Sequence, residues 1–269
     1  MTGDKVLKSV ISPGNADAVA DIGLINQYSD EELKPEDVYC FSLVLCDNDI
    51  DRDKERFTNS ALDAFAPLFR GRPGLFDHNW TAKEQVARLY RVESEDGGRL
   101  NSLGEPLRVL RACAYMLDDE SSKAIISKIK GGILKEVSVG CSIGKRSCSI
   151  CDTEFSLNYK TRKYTCENDH ERGETYDGKL CFTDLSEPTD AYEFSFVAVP
   201  AQRGAGVTKS ASDVFAALET LLKSDLGPEH FGLIVELMPK LQTALMKDAE
   251  RKERQKILDD NEKFLKGDY

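Results

Sequence analysis

The chain has 269 residues, 41% of them hydrophobic and 31% charged, enough for one generous core or two modest ones. No apolar run is long enough to span a bilayer, and the first residues lack a secretory core, so the expected setting is inside a cell with no membrane partner. A net charge of −11 speaks against a nucleic-acid partner, which needs a concentrated basic face. In such a setting the eight cysteines point to metal rather than to disulfides.

Residues 1–37 are polar and irregular, with Gly14, Pro35 and the acidic run Asp30-Glu31-Glu32, and read as a flexible N-terminal arm with room for one short helix. The run Tyr39 to Leu45 is apolar and β-rich, the first strand of a body extending over 38–208. The stretch Asp47 to Asp53 invites a calcium loop. It fails that test, because Arg52 replaces the turn glycine and Thr58 stands where a bidentate glutamate belongs. It reads as a charged connection. Helical spacing follows over Ser60 to Phe69, with Thr58 or Asn59 as N-cap.

Leu75 to Asn79 reads as extended and carries His78. Val86 to Val92 and Leu107 to Leu117 read as strands joined around Gly97-Gly98 and Gly104. Ser121 to Lys130 reads as a helix ended by Gly131-Gly132. Strands are then expected over Ile133 to Ile143 and Tyr192 to Val199, on either side of a cysteine-rich insert over 145–182. From Ser210 the pattern turns helical and highly charged, giving a C-terminal tail over 209–269. The fold class is α+β and β-rich, with a helical appendage.

The insert contains Cys148-x2-Cys151, fourteen residues, then Cys166-x3-His170. Two close pairs on short knuckles can set three thiolates and one imidazole tetrahedrally around Zn²⁺. Cys181 is an alternative to His170. A full set of four protein ligands leaves no open position, so this zinc would be structural, and the insert is a zinc knuckle.

Nucleophilic catalysis by serine needs a base within hydrogen-bond reach and a group that orients that base. Of the three histidines, His170 fits the metal set and His230 opens a tail helix, which leaves His78. Asp77 beside it is a poor orienter on an extended segment, since neighbours point to opposite sides. Two strands share one pattern of acid, apolar, serine, apolar: Glu136-Val137-Ser138-Val139 and Glu193-Phe194-Ser195-Phe196. Each places its glutamate and serine on one face, and the residues alone do not choose between them.

Four segments in this order resemble the prohead maturation proteases of tailed bacteriophages, a family related in fold to the herpesvirus capsid protease. They are Asp51 to Phe57, Leu75 to Asn79, Leu134-Lys135-Glu136-Val137-Ser138-Val139-Gly140, and Tyr192 to Ala201. The resemblance implies a small closed β-barrel flanked by helices and a serine endopeptidase needing no cofactor for catalysis. His78 would be the base, Ser138 the nucleophile and Glu193 the third member, with Asp190 or no third member at all as the alternatives. It further implies that the partners are the major capsid protein and scaffold inside an assembling procapsid in the bacterial cytoplasm. The protease itself would be another substrate, through self-cleavage in a homo-oligomer. The zinc insert departs from the plain family pattern. A reading from another class is a non-enzymatic assembly protein that binds scaffold through the knuckle and tail.

Overall fold

The computed structural model describes residues 21–159 and 162–208. The tail over 209–269, the arm before residue 21 and His230 lie outside the described residues. The chain divides into two units, Met1–Thr208 and Lys209–Tyr269.

The described part is β-rich with few helices. Strand β1 (Val38–Asp47) is buried along its whole length, and its sequence shows why, being apolar on both faces. It pairs antiparallel with β5 (Pro106–Leu117), which forms a long hairpin with β4 (Ala87–Leu100). The short β3 (Pro73–Phe76) pairs with β4 and runs parallel to β11 (Thr183–Phe196). At the other end of β11, β2 (Glu55–Phe57) also pairs in parallel. Strand β6 (Val137–Cys148) lies antiparallel along β11 from Cys148↔Thr183 to Val137↔Phe196. At the far end of the sheet, β12 (Gly206–Thr208) pairs with β1.

The strand ladder does not close into the barrel expected from the resemblance. Strand β12 is three residues long and β6 begins only at Val137, so their edges meet at one bridge, Glu136↔Gly206. Beside it the Val207 N–H donates to the Lys135 carbonyl at 2.7 Å.

Helix α1 (Asn59–Phe69) starts where the Thr58 hydroxyl accepts from the Ala61 N–H. Ala61, Leu62, Phe65 and Phe69 recur at helical spacing and are buried against β11, β4 and β5. Phe65 meets Phe57 edge-on at 5.3 Å, and the main core continues through Leu43, Leu89, Leu110, Phe194 and Phe196. Burying each such side chain contributes about 1.5–3 kcal/mol. Helix α2 (Lys123–Lys130) adds Ile126 and Ile129 to the same core.

The structure departs from the sequence expectations at three places in these elements. Residues 21–37 are not a free arm: residues 21–25 are helical and Ile25 is fully buried with Val38, Tyr90 and Tyr115. Asp21 pairs with Arg91 at 2.5 Å, and the Asn26 side chain bridges both backbone groups of Leu33. The strand expected from Ile133 begins at Val137, because Gly132 turns with φ of 71° and Ile133 and Leu134 N–H both donate to Lys128, capping α2. Strand β11 begins at Thr183 rather than Tyr192. Pro188 lies within this strand, at a register shift that the ladder absorbs.

No helix among the described residues is long and apolar enough to cross a membrane.

Candidate active site and candidate metal centre

Strands β6 and β11 put the twin serines side by side, since Ser138 is the register partner of Ser195 and Gly140 that of Glu193. With a side-chain period of two, Ser138, Gly140, Glu193 and Ser195 share one face of the sheet. The parallel neighbour β3 brings Leu75 beside Ser195, and the chain then leaves the sheet in a turn. Asp77 and His78 have φ of 49° and 53°, so this segment is a left-handed turn and not the extended stretch expected from the sequence. The turn is held by the Asp77 N–H donating to Phe196 at 3.0 Å and the Asn79 N–H donating to Phe76 at 2.9 Å.

This turn aims the imidazole back at β11. His78 Nδ1 lies 2.7 Å from Glu193 Oε1, and against an ionised carboxylate, which only accepts, Nδ1 carries the proton. Glu193 is 1% exposed and its second oxygen, Oε2, accepts from Ser195 Oγ at 2.6 Å. Ser195 is 0% exposed and accepts the His78 backbone N–H at 3.1 Å. Ser138 is half-buried and the His78 side chain is 39% exposed, so this pair keeps contact with solvent. No hydrogen bond joins Ser138 Oγ to the imidazole among the described residues. Catalytic hydrogen bonds often close only when substrate binds.

Asp190, the alternative acid, is engaged elsewhere: it pairs with Arg72 at 3.0 Å and accepts from its neighbour's amide. Cys141 on β6 is not a competing nucleophile, because burial pushes its thiol up to about 12. Two features of this face were missed in the sequence. Trp80, 65% exposed, packs on Tyr192 at 5.2 Å, and the Tyr192 hydroxyl bonds Ser142 at 2.8 Å, giving the face an aromatic rim. Gly140 leaves room for Glu193, since a Cβ there would fall on Oε1. The only advance signal was a glycine inside a strand pattern, which marks a close approach. Ser195 was visible, but as a rival nucleophile.

The second constellation lies in the insert, where β7 (Phe155–Asn158) and β8 (Lys163–Cys166) form a hairpin. Cys148, Cys151, Cys166 and His170 bring their ligand atoms within 4.8 Å of one another and could hold a metal ion. The Cys151 and Cys166 sulfurs are 3.6 Å apart, and His170 Nδ1 is 3.3 to 3.7 Å from the three thiols. A tetrahedral thiolate–imidazole centre has edges of about 3.5–3.8 Å, so the donor set fits. Each knuckle turns through a left-handed aspartate, Asp152 or Asp169, both at φ 59°. The Ile150 N–H donates to Cys148 Sγ at 3.4 Å, and the Cys166 N–H to the His170 carbonyl at 3.0 Å. The Thr153 hydroxyl, ahead of Asn168, holds the Cys151 thiol down at about 5, whereas burial pushes Cys148 up to about 12. Cys181 is fully buried with its sulfur 3.8 Å from that of Cys148, although it falls outside the group whose ligand atoms all lie within 4.8 Å of one another.

Comparison with family models, with curated proteins and with solved structures finds no match.

Proposed function

We propose that this chain is a serine endopeptidase of the prohead-maturation type, with Ser138 as nucleophile, His78 as base and Glu193 as the acid that orients the base. The observation that carries the reading is the His78 Nδ1–Glu193 Oε1 hydrogen bond on the strand face that also bears Ser138. Burial separates the twin serines on physical grounds. Ser195 has no solvent exposure and both its hydrogen-bonding roles are used, which leaves Ser138 as the hydroxyl a substrate can reach.

Ser138 Oγ attacks the scissile carbonyl while His78 Nε2 takes its proton. The tetrahedral adduct collapses as the same proton passes to the departing amine, leaving an acyl-enzyme. Water then repeats the sequence and releases the carboxylic acid. Glu193 keeps the proton on Nδ1 and balances the charge of the imidazolium. Backbone amides near Gly140 and Gly144 are the candidate oxyanion donors. The insert binds one structural Zn²⁺ through Cys148, Cys151, Cys166 and His170; all four positions are then filled by protein, so the ion holds the knuckles together and takes no part in proteolysis. Substrates are the scaffold or delta segment of a capsid protein, and the protease itself, inside a procapsid.

Intact-mass analysis of the full chain, alone and co-expressed with a major capsid protein, tests this. Trimming in the wild type that vanishes in Ser138→Ala is the expected result. Trimming that persists in Ser138→Ala contradicts the nucleophile, and none in the wild type favours an assembly protein that only binds scaffold. Metal analysis should give about one zinc per chain, and a clearly lower value contradicts the closed site.

A further inference from the structure

The geometry points to Ser195 as the positioning residue of the active site, a clamp that fixes the base and its acid in one stroke. The clamp itself is a matter of hydrogen bonds, and only its catalytic consequence rests on the serine-endopeptidase reading.

The hydroxyl of Ser195 has one proton to give and lone pairs to receive. It gives the proton to Glu193 Oε2 at 2.6 Å and receives the backbone N–H of His78 at 3.1 Å. The two bonds act on different elements. One holds a side chain two residues away on β11, and the other holds a turn 117 positions earlier in the chain. With Oε2 occupied, Oε1 is the carboxylate oxygen left for Nδ1–H, and that bond selects the tautomer whose Nε2 is free to take the proton of Ser138. With the His78 amide anchored, the left-handed turn at Asp77 and His78 keeps its aim.

Around the clamp little can move. Ser195 and Glu193 are essentially unexposed, and Gly140 fits beside Oε1 only because it lacks a Cβ. A polar side chain in so dry a place needs partners. Ser195 satisfies itself entirely through the two residues that the proposed chemistry requires to be aligned. The twin-strand pattern thereby divides its labour, with the half-buried serine left to react and the buried one left to align.

The test uses the full chain with two readouts. The first is the rate at which a fluorophosphonate labels Ser138. The second is the downfield Nδ1–H proton resonance of His78, which reports the Glu193 bond whether or not the protein is an enzyme. Ser195→Ala is expected to slow labelling by about ten- to a hundredfold and to broaden or remove that resonance in a folded protein. Ser195→Thr, which keeps the hydroxyl, is expected to retain the resonance and most of the rate. A folded Ser195→Ala that keeps the wild-type resonance overturns the clamp, whatever its labelling rate. Should Ser195→Ala fail to fold, the wild type decides: a slowly exchanging Ser195 hydroxyl proton close to the His78 amide proton supports the clamp, and its absence overturns it. A wild type that is never labelled at Ser138 but shows these protons refutes the protease reading and leaves the clamp standing.

Discussion

The metal cluster and the candidate active site both draw on β6, yet they are assembled in opposite ways. The cluster draws Cys148, Cys151, Cys166 and His170 from 23 consecutive positions, on two knuckles whose turns are local. The active site joins His78 to Glu193 across 115 positions, through a turn leaving a short parallel strand. A ligand set made of close pairs can form with little help from the rest of the fold. A base and acid held by a sheet depend on every strand between them. The insert can therefore be damaged without dismantling the face, and the face can be damaged without releasing the metal.

His78→Ala should separate the two most sharply. Loss of the base is expected to cut fluorophosphonate labelling of Ser138 by about 10²–10⁴-fold while metal content stays at the wild-type value. Cys166→Ser breaks the comparison from the other side. Metal content should fall well below one equivalent and the hairpin β7–β8 should lose protection from hydrogen exchange, with labelling of Ser138 changed only a few-fold. A parallel loss of labelling would show that the insert supports the active site through Ser149, whose N–H donates to Phe182 just before β11.

Gly140→Ala is a finer probe. The added Cβ would fall on Glu193 Oε1, so the carboxylate must shift, and labelling should drop by about tenfold or more with metal content unchanged. The smallest effect concerns stability at the far end of the sheet. Burial pushes the Asp51 carboxyl up to about 6, against the pull of the Glu55 amide, which donates to it at 2.8 Å. The folded state then holds a proton that the unfolded chain gives up near pH 4, so Asp51 makes stability fall as pH rises from about 4 to 6. Asp51→Asn keeps the acceptor for Asp53 and Glu55 and removes the charge. Melting should rise by about 2–4 °C at pH 7.5 and be unchanged at pH 4, as scanning calorimetry would show.

The same contrast explains what could be read from the sequence. The metal ligands were legible because their spacing is itself the geometry. Helix α1, strands β1 and β5 and the first half of β4 were legible because their apolar residues recur at periods of 3.6 or two or form one unbroken run, whereas β4 runs on through Gly97-Gly98, read as part of a turn, to Leu100. The acid, base and serine could be named only as candidates, because nothing local brings β3 against β11. The closing contact of the sheet was overread: a complete barrel needs a longer β12 than Gly206 to Thr208. The arm was underread, because Ile25 and Asp21 find their partners, Tyr90 and Arg91, only after β4 and β5 have paired. Pro188 and Gly132 are punctuation residues that mark ends in most chains. Here one lies within a strand and the other delays one.

The central claim is that Ser138, and not its buried twin, is activated by the His78–Glu193 pair. Peptide mapping of the full chain after fluorophosphonate treatment tests it most directly. A single adduct on Ser138 is expected, lost in His78→Ala and strongly slowed in Glu193→Gln. An adduct on Ser195, or labelling of Ser138 that is indifferent to His78, would contradict it.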